Sequence, residues 1–171
     1  MALELGVTAE EIQTGLKLIK PVPMRLELKQ AINDSLALDD TYNNDLQGLK
    51  VALDYLDSHN QKTKKTIILS DILQSGKSDS TLYAEVADLL REKKIARLIG
   101  VGPHISSFAK RLSPSAEFFQ TTEELLSNLP HFENEIILVK GARNFELERV
   151  VKRLEKRTHG TVLEVNLEAL Q

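Results

Sequence analysis

The sequence predicts an α/β fold in which a mostly parallel β-sheet carries helices on both faces. Two observations lead there. Short apolar runs alternate with amphipathic stretches of roughly 10–15 residues, the order that builds βαβ units. The runs TIIL, RLIGV and IILV are also apolar on both faces. A strand sandwiched between helices has no solvent side, so it loses the polar alternation of a half-buried strand.

Each element has its own signal. Thr8 and Glu11 stand at capping-box spacing, the threonine bonding first-turn amides and the glutamate reaching back. Ile12, Leu16 and Ile19 then share a helical face, and Pro21 and Pro23 end that helix. Residues 24–29 alternate, with Leu26 and Leu28 on one side, and predict a half-buried strand. SLALDD at 35–40 is a second short strand. Residues 46–59 form a helix with Leu46, Leu49, Leu53 and Leu56 on one face. KKTIILSD at 64–71 is a buried strand. A helix over 79–94 follows, capped by Asp79 or Ser80. ARLIGVG at 96–102 is a strand, 105–112 a short helix, and AEFFQ at 116–120 a strand. Thr121 or Thr122 caps the next helix. EIILVKG at 135–141 is a strand, and a helix over 145–157 buries Leu147, Val150, Val151 and Leu154.

Composition excludes several classes. The 171 residues suit one domain with a short extra piece, and 42% are hydrophobic. The charged share is 27% with a net charge of −3, so no global field draws the chain to nucleic acid. The apolar runs fall far short of the ~20 residues that cross a bilayer. The acidic start MALELGVTAEE lacks the basic region of a signal peptide. The absence of cysteine removes disulfides, thiolate nucleophiles and cysteine zinc sites, and a cytoplasmic location is expected. SGKSDST carries Gly-Lys-Ser, but Asp71 stands where a P-loop needs its first glycine. GVGPHI has Gly-x-Gly, yet Ile105 and Pro103 depart from a dinucleotide fingerprint. The histidines are scattered, so a histidine zinc site is not expected.

Ligands of open parallel sheets sit beyond the carboxyl ends of the strands. Four segments end strands there: LDDTYN, LSDILQSG, VGPH and VKGARN. Their acids, histidine, lysine and arginine are the candidates. A plainer reading stands beside each. Asp39 and Asp40 can cap the next helix, Arg25 can pair on the surface with Glu27, and Lys140 and Arg143 can be merely solvated.

Three of these motifs, in order, resemble the C-terminal domain of the Mur ligases. Arg25 and Glu27 match that family's Gly-Arg-x-Glu strand, with Met24 where its glycine stands. Asp39-Asp40-Thr41-Tyr42-Asn43-Asn44-Asp45-Leu46 is similar to Asp-Asp-Ser-Tyr-Asn-Ala-Asn-Pro. Residues 68–76 match Leu-Gly-Asp-Met-Leu-Glu-Leu-Gly at Asp71 and Gly76, with Gln74 for the glutamate and Tyr83 for a downstream histidine. Residues 137–151 match Leu-Val-Lys-Gly-Ser-Arg at Lys140, Gly141 and Arg143, and Glu148 follows in place.

The resemblance covers about residues 3–155 and is nearest to members that add D-alanyl-D-alanine to UDP-N-acetylmuramoyl-tripeptide. It implies a Rossmann-like sheet and a domain that closes over ATP and positions the dipeptide. Arg25, Asp40, Tyr42 and Asn43 would then bind ATP. Asp71, Lys140, Gly141 and Arg143 would meet D-alanyl-D-alanine, with Asp71 binding its ammonium or orienting Lys140. The phosphate cradle and magnesium would belong to a central domain and the UDP moiety to an N-terminal one. No catalytic or metal residue is expected here, and the chain alone would be inactive. Residues 1–20 would end the central domain and 21–156 form the C-terminal domain. The tail HGTVLEVNLEAL resembles the first strand of alanine racemases. Residues 157–171 would therefore be a linker and the start of a racemase domain, whose pyridoxal phosphate (PLP) lies further on.

Two other classes stay open on residue types alone. A phospho-acceptor receiver domain also combines paired acids, a strand-end Asp and a Lys. A non-catalytic interaction module needs no ligand at any of these positions.

Overall fold

The structure is a computed structural model that describes residues 8–18, 23–59, 62–112 and 116–156. Its centre is a six-stranded sheet in the order β1-β2-β6-β3-β4-β5. The strands are β1 (Glu27–Ala31), β2 (Ser35–Asp40), β3 (Lys64–Ser70), β4 (Arg97–Val101), β5 (Glu117–Phe119) and β6 (Glu135–Lys140). All neighbours run parallel except β1, which pairs antiparallel with β2. A tight turn joins that pair: Ser35 N donates to Ile32 O, with Asn33 and Asp34 both at positive φ. This double left-handed turn matches strand twist, and Asn and Asp tolerate it best after glycine.

The helices are α1 (Ala9–Leu18), α2 (Leu46–Ser58), α3 (Asp79–Glu92), α4 (Pro103–Ser107), α5 (Ala109–Leu112), α6 (Thr122–Ser127) and α7 (Glu148–Leu154). Strand alternation sends residues to two cores. Leu36, Leu38, Ile67, Leu69, Leu98, Ile136 and Leu138 pack with α2 and α3. Ala37, Ile68, Ile99, Ile137 and Val139 pack on the other face with α6 and α7. These buried strands are apolar on both faces for that reason. Among the described residues, no helix is long and apolar enough to cross a membrane.

Several boundaries differ from the sequence expectation. β1 begins at Glu27 rather than Met24, because Met24 and Leu26 take positive φ and break the extended run. The α3 cap is Ser78, whose hydroxyl accepts from Thr81 N, not Asp79 or Ser80. α6 is capped by Thr121, with Glu124 Oε2 accepting in return from Gln120 N at 2.6 Å. The helix expected over 105–112 is two pieces that meet at Phe108, whose ring stacks on Tyr83 at 5.2 Å. The helix expected from Phe145 starts at Glu148, after a 3-10 turn at Arg143–Phe145 and a left-handed Glu146. The Thr8–Glu11 capping box forms as expected. Residues 1–7 and 19–20 of the proposed first segment and the whole proposed racemase tail lie outside the described residues.

Candidate functional site

The parallel register sets Asp40 beside Lys140 at the carboxyl ends of β2 and β6. Lys140 Nζ donates to Asp40 Oδ2 at 2.6 Å and to Asn43 O at 2.8 Å. The lysine is only 2% exposed, so it is not a solvated cation. A buried ammonium this far from water needs a carboxylate and further acceptors, and here it has both. Asp39 lies on the opposite face of β2. It accepts from Thr41 Oγ1 at 2.7 Å and pairs with Lys29 at 3.3 Å.

After β2 the chain turns through Tyr42 and Asn43 into α2. The helix cap is Asp45, not Asp39 or Asp40: its Oδ1 accepts from Gly48 N at 2.7 Å. Asp45 Oδ2 accepts from Asn43 Nδ2 at 2.9 Å. Tyr42 is 49% exposed and lies under the Arg25 guanidinium, 4.5 Å from the ring centroid. This cation–π contact holds Arg25 in place, and among the described residues no acid pairs with it. Tyr42 N donates to Met24 O, which fixes the Met24–Leu26 segment over the same loop. The positive φ of Met24 and Leu26 is costly for non-glycine residues, of order 1–3 kcal/mol each.

Arg25, Asp40, Tyr42, Asn43 and Lys140 line one cleft of about 250 Å³, with Leu26 and Val51 as its apolar wall. All four residues expected to bind ATP therefore meet, although Arg25 stands before β1 rather than on it. Lys140 joins them, whereas the sequence grouped it with the dipeptide residues. A larger groove of about 310 Å³ between α2 and α3 gathers no such mixture: Glu85, Asp88 and Glu92 face Lys50 across Leu46 and Leu89.

The remaining candidates lie apart. Asp71 is buried at the end of β3, and both its oxygens are engaged. Oδ1 accepts from Ile105 N at 2.7 Å, and Oδ2 from His104 N at 3.2 Å. Tyr83 OH donates to Oδ1 at 3.4 Å. Burial first, then the charge of Asp71, pushes the Tyr83 hydroxyl above its ordinary value, so it stays a donor. Among the described contacts none joins Asp71 to Lys140, so Asp71 does not orient that lysine. Gly141 sits under Leu147, whose side chain would be 2.8 Å from an added Cβ. Arg143 is exposed and donates from Nη1 to Glu148 Oε1 at 3.0 Å. The same nitrogen lies 3.4 Å from Met24 Sδ, which places it at the rim beside Arg25. Asn44 ties the loops together from below, its Nδ2 donating to Ser70 O at 3.0 Å and Asp71 O at 3.1 Å.

The sequence did not single out Asp45 as a cap or Gly102 as a support. Gly102 has φ of +129°, and a Cβ there would stand 2.5 Å from the Asp71 carboxyl. The only sequence signal was a glycine placed directly before Pro103. His104 Nδ1 meets Asp79 Oδ2 at 2.7 Å. That bond first, and the Asp71 charge second, hold its pKa above the ordinary 6.5. A raised histidine stabilises most at low pH: the contribution is complete below 6.5 and fades as pH rises through the folded value. An NMR titration of the His104 ring should give a midpoint above 6.5 that falls in Asp79→Asn. A midpoint unmoved by the substitution would remove Asp79 as the cause.

No family model matches the chain. It is 27% identical over 160 residues to the UDP-N-acetylmuramoyl-tripeptide–D-alanyl-D-alanine ligase of Escherichia coli (strain K12). That alignment covers 91% of this chain and 35% of the relative. The ligase of the same name from Bacillus subtilis (strain 168) is 27% identical, over 87% of this chain and 34% of the relative. A crystal structure of MurF from Acinetobacter baumannii superposes with a TM-score of 0.68 at 28% identity, covering 90% of this chain and 35% of that one. MurF from Thermotoga maritima, solved in complex with ADP, shares the fold at a TM-score of 0.67 and 20% identity, covering 88% and 34%. The chain thus spans about a third of the length of the curated relatives it matches.

Proposed function

We propose that this chain is the C-terminal domain of an ATP-dependent Mur ligase that adds D-alanyl-D-alanine to UDP-N-acetylmuramoyl-tripeptide in the cytoplasm. The observation that carries the reading is the single cleft joining Arg25, Asp40, Tyr42, Asn43 and Lys140 at adjoining strand ends. It lies where open parallel sheets take nucleotides. The likeness to ligases of that name along some nine-tenths of the chain supports it.

In this reading Asp40 accepts the ribose hydroxyls through Oδ1, because Lys140 occupies Oδ2. Tyr42 and Asn43 border the adenine, and Arg25, stacked on Tyr42, offers its planar donors to the base or a phosphate. Arg143 is the exposed cation fitted to the dipeptide carboxylate, bidentate through its remaining donors. Asp71 and Gly141 act through packing: one holds the α4 amides, the other lets α7 approach β6. Among the described residues no group of three acids or histidines could hold a metal. As the resemblance implies, magnesium and the phosphate cradle are proposed to belong to a central domain of the same protein. The domain's contribution is orientation and electrostatics as it closes over ATP. The tail is proposed to lead into an alanine racemase domain, where pyridoxal phosphate would bind. The adjoining sequence tests that directly.

In the full-length ligase, Arg25→Ala and Asp40→Ala should each raise KM for ATP about tenfold or more, as loss of a charged hydrogen bond predicts. Arg25 is exposed, so its substitution reads binding with little change in folding. Unchanged ATP kinetics in both variants would refute the site. The 171-residue chain alone should bind ATP weakly and release no phosphate from it in the presence of tripeptide and dipeptide. Turnover by the chain alone would overturn the division of labour. The receiver alternative finds little support, since Asp71 is 1% exposed with both oxygens bonded. A phospho-accepting carboxylate must be open to its donor.

A further inference from the structure

Resting on the reading of Arg143 as partner of the dipeptide carboxylate, we infer that Ser70 is the positioning residue for that arginine. Asn44, in the loop between β2 and α2, holds the Ser70 hydroxyl in its working orientation. Both side chains are buried, so they act through Arg143 and touch no ligand themselves.

Arg143 opens a 3-10 turn in which Phe145 N donates to Ala142 O at 2.9 Å. Hydroxyls anchor this turn at both ends. Thr122 Oγ1 donates to Phe145 O at the far end. At the near end Ala142 N donates to Ser70 Oγ at 2.9 Å. Between the anchors the Arg143 side chain stands out into solvent, 60% exposed. An exposed, long side chain is only as well placed as the backbone that carries it, and Ala142 is the residue directly before it.

A serine hydroxyl offers one proton and two lone pairs. The Ser70 proton goes to Asp71 O at 3.0 Å. One lone pair takes Ala142 N, and the other takes Asn44 Nδ2 at 3.2 Å. Any other rotamer gives up bonds that water cannot replace, since Ser70 and Asn44 are 0% and 2% exposed. Asn44 Nδ2 also donates to Ser70 O and Asp71 O. A flipped amide would set its oxygen against both carbonyls, so the donor end must face Ser70. In the sheet β6 lies between β2 and β3. Asn44 thus reaches over the end of β6, the strand that leads to Ala142, and one oxygen ties three strand ends. Stability alone does not account for this node. Asn44 Oδ1 is buried without a partner among the described residues, a penalty that alanine would avoid. Asn44 and Ser70 stand where the motifs these segments resemble have alanine and glycine, and Ala142 stands where they have serine. The hydroxyl those motifs carry on the turn is here carried on the strand beside it.

Steady-state kinetics of the full-length ligase, with urea midpoints of the same variants, test this. Arg143→Ala should raise KM for D-alanyl-D-alanine about tenfold or more, which checks the reading of that arginine. Ser70→Ala should raise the same KM about tenfold and move KM for ATP by less than about twofold, since Asn44 keeps its two carbonyl bonds. Asn44→Ala should raise the dipeptide KM about threefold, and the double variant should be no worse than Ser70→Ala alone, because partners in one network do not add. A role in folding alone would lower the urea midpoint and the maximal rate through fewer folded molecules, and leave both KM values unmoved. A wild-type dipeptide KM in Ser70→Ala, beside a raised one in Arg143→Ala, overturns the inference and leaves the reading of Arg143 intact. So do effects that multiply in the double variant. Where Ser70→Ala yields too little folded enzyme, Asn44→Ala decides: it keeps the hydroxyl and its bond to Ala142, and an unchanged dipeptide KM there overturns the inference. A dipeptide KM unmoved by Arg143→Ala overturns the reading of that arginine and this inference with it.

Discussion

Lys140→Met is expected to cost the domain about 3 kcal/mol of stability, because breaking a buried ion pair leaves its partner charge uncompensated. Methionine fills much the same volume but donates nothing. Asp40, whose side chain is 13% exposed, would lose its bond at 2.6 Å, and Asn43 O would lose its donor. The same substitution frees the Tyr42–Asn43 loop, so the cleft should loosen along with the fold. Neutralising the acid separates these effects. The double variant Asp40→Asn with Lys140→Met should regain more than half of the lost stability, since two neutral groups need no mutual compensation. Urea unfolding at constant slope measures both. A Lys140→Met midpoint indistinguishable from wild type would mean that the pair does not hold the two strand ends together.

Gly102→Ala is expected to be as damaging, about 3 kcal/mol or more, for a different reason. At φ of +129° an L-residue is strained by roughly 1–3 kcal/mol. The new Cβ would also stand 2.5 Å from Asp71 Cγ and Oδ2. Asp71 would have to turn away and release the amides of His104 and Ile105, each bond worth about 1 kcal/mol. Gly76→Ala is the control. It too has positive φ, but nothing lies within 4 Å of its added Cβ. Its cost should stay near the 1–2 kcal/mol of a left-handed residue. Faster amide exchange at Ile105 should accompany Gly102→Ala alone. Equal losses in the two variants would show that backbone strain, and not the Asp71 contact, makes position 102 intolerant.

These positions show what can be read along a chain and what cannot. The strand runs TIIL, RLIGV and IILV announce burial on both faces because burial acts on each side chain independently of its partner. The Thr8–Glu11 box is equally legible, since both partners lie within one turn, and the α6 cap was legible as Thr121 or Thr122, of which Thr121 caps. The β1–β2 hairpin was visible only as two strands. Its antiparallel sense follows from a turn in which Asn33 and Asp34 both go left-handed. Boundaries failed where tertiary contacts overrule local preference, as at Phe108, drawn onto Tyr83, and at Met24 and Leu26, bent over the Tyr42 loop.

The candidate site divides in the same way. The sequence by itself determined the fold class and the strand ends that carry polar residues, both short-range patterns of polarity, while the grouping of Arg25, Asp40, Tyr42 and Asn43 came from the family resemblance. Only the tertiary structure decided who partners whom. Lys140 is 100 residues from Asp40 along the chain and 2.6 Å from it in space, joined by the β2–β6 register. Asp71 faces the amides of α4 rather than Lys140, because the sheet order places β4 on one side of β3 and β6 on the other. Pairing a charge requires knowing which strand lies beside which. Strand order is a property of the whole sheet and is written in no single segment.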